Sequence, residues 1–245
     1  MCGLTTAVEQ LAASCEQTFN RLSNPLNNRF DSRLNVCSHD AAGCSIGCST
    51  PNRDGGALLY VKSVYRPVEH VISNSFKDSV WCKIGTLLIG VCYRSTNLAI
   101  VGTDNNEKLC DLMEEVSGDN MLVMGDFNFS EINWNLKTVN TSATTDCINF
   151  FETIENSFLS QHVLHPTRGK SVLDLILTRD PDLLSNIQII DHLGHSDHNM
   201  VLFSLHHAGC YRDYAIRRHD YQKGEAVSTT YWQILIGMNS CVMLL

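Results

Sequence analysis

The chain has 245 residues, 44% of them hydrophobic, with a net charge of −8 and a pI near 5.6. That length and apolar content suffice to bury one large core or two small ones, which excludes wholesale disorder. The acidic balance excludes a protein that grips nucleic acid by bulk electrostatics, but not a nucleic-acid enzyme, because carboxylates gathered for a divalent cation add negative charge of their own.

The eleven cysteines are odd in number and scattered, and Cys82, Cys92 and Cys147 lie inside apolar runs. Buried thiols behave as small hydrophobes, so a reduced intracellular chain with no disulfide-linked partner is expected, and a monomer. No apolar run is long enough for a spanning helix and no basic-then-apolar opening is present, so no membrane association is expected.

In chain order, Thr6 and Glu9 have capping-box spacing, and Val8, Leu11, Ala12, Cys15, Phe19 and Leu22 recur at helical intervals. They predict a helix over residues 6–22. Residues 23–54, rich in Ser, Asn, Asp and Gly, read as a long irregular segment. Within it Cys37, His39, Cys44 and Cys48 do not have the spacing of a zinc finger or ribbon. Order begins at Gly55-Gly56, with strands expected over 57–64 and 86–93. A helix follows, marked by Leu109, Leu112, Met113 and Val116, capped near Asp104 and closed at Gly118. Met121-Leu122-Val123-Met124 is a strand, and Ile148, Phe151, Ile154, Glu155 and Phe158 suit a helix beginning near Asp146. Strands are expected again over 172–178, 187–190 and 200–205. The alternation predicts an α/β (α+β) class, and near-continuous apolar strands predict sheets covered on both faces. Past His207, Arg212, Arg217, Arg218 and Lys223 interleave with Tyr211, Tyr214 and Tyr221 in a linker-like tail, and 231–245 reads as the start of a helix.

The chemistry gathers at strand ends. Asp126 and Asn128 follow the strand at 121–124 and are two apart, which on a strand puts both side chains on one side. Asp174 sits inside the apolar run Leu173-Asp174-Leu175-Ile176-Leu177, where a charge is costly unless paired. Asp197-His198 immediately precedes the last strand, and an imidazole beside carboxylates can act as a general acid, a general base or a phosphate clamp. His198 needs an orienting carboxylate, and Asp174 is a candidate. Tyr93-Arg94 and Thr167-Arg168-Gly169 end or precede neighbouring strands and can line the same rim.

These segments resemble the endonuclease/exonuclease/phosphatase superfamily, and within it the endonuclease domain of non-LTR (LINE-type) retrotransposons. The resemblance rests on pieces in family order over residues 55–205: Gly55-Gly56-Ala57-Leu58-Leu59-Tyr60-Val61, Val91-Cys92-Tyr93-Arg94, Val123-Met124-Gly125-Asp126-Phe127-Asn128, His165-Pro166-Thr167-Arg168-Gly169, Leu173-Asp174-Leu175-Ile176-Leu177-Thr178 and Ser196-Asp197-His198. It implies a four-layer sandwich of two packed mixed β-sheets flanked by helices, here incomplete on the N-terminal side. It also implies a Mg2+ (or Mn2+) ion and hydrolysis of a DNA strand by water. On the matched positions, Asp126 positions or deprotonates that water, Asn128 and Tyr93 hold the phosphate, and His198, oriented by Asp174, contacts it. Asp197 lies at the metal, with Thr167, Arg168 and Ser196 on the substrate side.

The family's early strands, one carrying an Asn and the next a metal-binding Glu, have no counterpart in residues 1–54, where Glu9 and Glu16 fall on the predicted helix. The expected organisation is therefore a divergent segment (1–54), an endonuclease-like domain (55–207) and a linker-like tail (208–245), with activity impaired by a missing metal ligand. The tail resembles the linker that precedes a reverse transcriptase in such elements. Competing readings are an inactive retrotransposon relic, a phosphoesterase of the same superfamily, and a zinc hydrolase built on His192, His195 and His198.

Overall fold

A computed structural model describes residues 44–46, 57, 59–62, 65–74, 76–97, 101–118, 120–192, 196–206, 234–236 and 242–244. The helix expected over 6–22 and the basic stretch from Tyr211 to Lys223 lie outside the described residues, as do Gly55-Gly56.

The larger sheet is mixed. Its strands are β3 (Val68–Glu69), β4 (Ser79–Ile84), β5 (Leu87–Tyr93), β6 (Met121–Asp126), β10 (Asp174–Thr178) and β9 (Ser160–Gln161), in that spatial order. β5 and β6 run parallel and the other pairs antiparallel. β5 reaches β6 through helix α1 (Asn105–Val116), the helical crossover that a parallel pair requires. A second layer contains β1 (Cys44–Ile46), β2 (Leu59–Lys62), β14 (Val242–Leu244) and β13 (Ile234–Ile236). The antiparallel pair β11 (Leu184–Ile190) and β12 (Met200–Leu205) lies alongside, with β12 against β13. A short hairpin, β7 (Ile132–Asn133) and β8 (Thr138–Val139), precedes helix α2 (Thr145–Asn156).

Strand periodicity divides the interior in two. Leu87, Ile89, Val91, Leu122, Met124 and Ile176 face Leu59, Val61, Val201, Phe203 and Leu205 of the second layer. On the opposite face Leu88, Cys92, Met121, Val123, Leu175 and Leu177 meet Leu109, Leu112, Met113 and Val116 of α1 and Phe150 and Ile154 of α2. Helices, sheet and second sheet are thus three stacked layers among the described residues. Cys82, Cys92 and Cys147 are buried and free.

Several expectations are corrected. Residues 231–245 give two strands rather than a helix: Ile234-Leu235-Ile236 and Val242-Met243-Leu244 pair antiparallel across an intervening segment that contains Gly237 and Asn239. The irregular segment 23–54 contains strand β1, which pairs with β2 and carries no carboxylate. Helix α2 is rotated from its expected phase: Cys147, Phe150, Thr153 and Ile154 are buried, while Ile148 is 39% and Phe158 76% exposed. Its cap is Thr144, whose side chain accepts from the Cys147 amide at 3.3 Å. Asp104 stands at the N-cap of α1 without a capping hydrogen bond, its carboxylate instead 2.6 Å from Lys108 Nζ.

Candidate active site

Three neighbouring strands present one row of polar side chains. In register, Tyr93 at the end of β5 is paired with Asp126 at the end of β6, and Asp126 with Asp174 at the start of β10. Tyr93 continues the parity of Leu87, Ile89 and Val91, Asp126 that of Leu122 and Met124, and Asp174 that of Ile176. All three therefore belong to the face turned to the second sheet. The site sits at the rim of the gap between the sheets because apolar runs that fill the gap end there in carboxylates.

Gly125 lets β6 lie this close to β5. Its φ is +145°, and a Cβ there would fall 1.8 Å from the Cys92 carbonyl oxygen. Only glycine satisfies both conditions. The next residues turn sharply. Phe127 is fully buried against Phe150, and its amide donates to the Leu173 carbonyl at 2.9 Å. Asn128 has a φ of +54°, in the left-handed region. Its backbone amide donates to Asp126 Oδ1 at 3.1 Å and its side-chain Nδ2 to Asp126 Oδ2 at 2.8 Å. The same Nδ2 donates to the Arg94 carbonyl at 3.1 Å. Both side-chain N–H bonds of Asn128 are thus engaged within the site.

His198 enters from the loop before β12. Its Nδ1 is 2.8 Å from Asp174 Oδ2, and both residues are buried. With Nδ1–H donating to Asp174, Nε2 is the nitrogen left for chemistry, and it makes no hydrogen bond among the described residues. Burial works against the imidazolium, but the hydrogen bond and charge of Asp174, helped by Asp126, raise its pKa above the ordinary histidine value. Asp126 is pushed up to about 7, first by burial and then by the charge of Asp174, against the opposing pull of His198 and the Asn128 hydrogen bonds.

Thr167 is fully buried behind this pair. Its Oγ1 accepts from the Leu173 and Asp174 amides, each at 3.1 Å, and its carbonyl accepts from the Asn199 amide at 2.7 Å. One threonine therefore fixes both the start of β10 and the loop that carries His198. Ser196 accepts from the His198 amide at 3.1 Å, closing the turn that aims the imidazole. Outside them Arg168 Nη2 and Asp197 Oδ2 are 2.5 Å apart, both well exposed. Burial slightly disfavours the Asp197 carboxylate, yet the hydrogen bond and charge of Arg168 hold its pKa below the ordinary range.

These donors do not fit a resident cation. Among the described residues no three His, Cys, Asp or Glu side chains converge on a point, and the Asp197 carboxylate is engaged by Arg168. His195 lies outside the described residues, while His192 is exposed. A groove of about 530 Å3 opens between the β7–β8 hairpin and the segment 164–172, lined by Asn133, Asn140, Leu164 and Lys170 among others, and none of Tyr93, Asp126, Asn128, Asp174 or His198 lines it.

Sequence reasoning placed Arg94 on the rim but missed its contacts. Its Nε donates to Asn106 Oδ1 at 2.6 Å, its Nη1 to the Asn128 carbonyl at 3.1 Å and to the Phe127 carbonyl at 3.3 Å, and it lies 3.8 Å over the Phe129 ring. Asn106 Nδ2 in turn donates to Asp146 Oδ2 at 2.5 Å. The available signal was the adjacent pair Asn105-Asn106 at a helix start, both buried.

Comparison with known proteins points to the same segment. Residues 87–202 match the family model described as endonuclease-reverse transcriptase. Among solved structures, the chain is similar to the endonuclease domain of TRAS1, a telomere-specific non-LTR retrotransposon, at 15% identity and a TM-score of 0.40, covering 54% of this chain and 65% of that one. The chain thus spans about two thirds of that domain. No curated protein matches it. The motifs read from the sequence fall within the matched segment except Gly55–Val61, and over residues 87–202, a little under half of its length, this chain is similar to the endonuclease-reverse transcriptase family.

Proposed function

We propose that this chain hydrolyses a phosphodiester bond of DNA by attack of water, as an endonuclease of the retrotransposon type. The observation that carries the reading is the buried Asp174–His198 pair, set at 2.8 Å and packed beside Asp126 at the rim between the two sheets. A carboxyl poised near neutrality suits a group that takes a proton from attacking water, and that role falls to Asp126. His198, kept protonated more readily by Asp174, donates from Nε2 to a phosphate oxygen and offsets charge developing there. Asn128 spends both side-chain N–H bonds inside the site, so we assign it to aiming Asp126 rather than to the phosphate. Thr167, with no exposed surface, holds Asp174 and the His198 loop. Tyr93 and Ser196 border the phosphate position.

The family is generally dependent on a divalent metal, and Mg2+ or Mn2+ would supply charge neutralisation at the phosphate. Among the described residues Asp197 is the one rim carboxylate that could meet such an ion, and its ion pair with Arg168 competes with that contact. With one such carboxylate rather than a cluster, weak binding and low turnover are expected.

The test is conversion of supercoiled plasmid to the open circle in Mg2+ and in Mn2+, for the chain and for its His198→Ala and Asp197→Ala variants. Nicking that falls at least about 100-fold in His198→Ala supports the reading, a loss typical of removing an acid or base. Nicking no greater than that of the variants sinks it.

A further inference from the structure

We propose that Arg94 is the positioning residue of this site: its guanidinium, set by α1 and α2, holds the turn that aims Asn128 at Asp126. The inference rests on the endonuclease reading only for the consequence to catalysis; the geometric claim stands by itself. Arg94 and Asn128 bind each other reciprocally. The Asn128 side chain donates to the Arg94 carbonyl, and the Arg94 side chain donates to the Asn128 carbonyl, at 3.1 Å each. The Arg94 amide also donates to the Asp126 carbonyl at 2.9 Å, so the residue is fastened to both ends of the turn.

The turn needs such a clamp. Asn128 has a φ of +54°, a conformation that persists in a non-glycine residue only when its surroundings over-determine it. Without Arg94 two carbonyls, those of Phe127 and Asn128, lose their donor. The clamp is itself clamped: Asn106 on α1 receives Nε, and Asp146 in the first turn of α2 receives Asn106. A chain of contacts therefore runs Asp146, Asn106, Arg94, Asn128, Asp126, from the helical layer through to the rim. Arginine is required rather than lysine. A planar guanidinium can bond three oxygens lying in different directions while stacking on the Phe129 ring, whereas a single ammonium cannot cover that set.

The test compares Arg94→Lys, Arg94→Met and Asp146→Asn with the parent chain. The direct readout is amide hydrogen exchange at Asn128, whose N–H donates to Asp126 Oδ1, with β5 and β6 amides as the control for global unfolding. We expect Asn128 exchange to rise about tenfold or more in Arg94→Met and Arg94→Lys, and by a smaller factor in Asp146→Asn, which loosens only the far end, while the strands stay protected. Unchanged Asn128 exchange in a folded Arg94→Met overturns the proposal, as does full restoration by Arg94→Lys. Should Arg94→Met fail to fold, Asp146→Asn decides by the same readout. Plasmid nicking gives the second arm: kcat down about tenfold or more in Arg94→Lys with KM little changed, as loss of orientation rather than of binding requires. A parent chain that does not nick overturns the endonuclease reading, and the exchange result at Asn128 still decides the clamp.

Discussion

Replacing Asp126 by Asn should stabilise the protein at neutral and alkaline pH while abolishing its chemistry. Asp126 is 6% exposed and lies in register with Asp174 on the next strand, so two buried carboxylates compete for one region of low dielectric. Its pKa is raised from 3.8 to about 7. The sign follows from proton counts. Below pH 3.8 the group is neutral both folded and unfolded, and costs nothing. Between 3.8 and 7 the folded chain keeps a proton that the unfolded chain sheds, so stability falls as pH rises, and above 7 the whole cost is present. At 1.36 kcal/mol per pKa unit the ceiling is about 4 kcal/mol, part of it shared with Asp174 and His198. Asn at this position keeps one oxygen for Asn128 and loses one hydrogen bond, about 1 kcal/mol at any pH. The variant should therefore gain about 2–4 kcal/mol relative to the parent between pH 4 and pH 8. Urea unfolding in metal-free buffer, followed by fluorescence of the buried Trp81 and Trp134, measures it at both pH values. A difference between variant and parent that is the same at pH 4 and pH 8 would refute the electrostatic account of Asp126.

Three other substitutions test the scaffold. Gly125→Ala puts a methyl 1.8 Å from the Cys92 oxygen at a φ of +145°, and should cost upwards of about 3 kcal/mol in urea unfolding. Thr167→Val leaves the Leu173 and Asp174 amides without their acceptor, at about 2–4 kcal/mol, and Thr167→Ser should recover most of it. Asp174→Asn should lower the His198 pKa, read by NMR titration. Because that pKa is raised in the folded state, the pair's contribution is complete below the ordinary value of 6.5 and is lost as pH climbs through the higher folded value, a slope the variant should lack.

The row of carboxylates was legible because each interrupts or ends an apolar strand, and a charge in such a run must be justified by a partner. Asp174 inside Leu173-Asp174-Leu175-Ile176-Leu177 announced its need for His198, and the structure places them 2.8 Å apart. Strand β4 escaped notice because Ser79 and Lys83 interrupt its apolar residues, though Val80, Trp81, Cys82 and Ile84 are all buried. Helix α2 was misphased because its buried face answers to aromatics outside the helix. Phe150 packs on Phe127 and Phe129, a partnership no periodicity within the helix reveals. The Arg94 clamp was invisible for the same reason. It joins residues 12, 34 and 40 positions apart through polar groups that, read locally, look like an ordinary helix start and a strand end.

The placement of the two carboxylates is itself an argument for function. Folding alone would favour an apolar pair where Asp126 and Asp174 meet in register, since buried like charges on adjacent strands repel and each must shed its water. The fold instead surrounds them with donors that match their oxygens: two from Asn128 to Asp126, and the imidazole of His198 on Asp174. Those donors are in turn fixed by Arg94, Thr167 and Ser196. Polar groups that cost stability and are braced by a second ring of polar groups mark a site whose geometry is worth more than the stability it forgoes. By the same logic, the D126N variant should be the most stable of those considered and the least active.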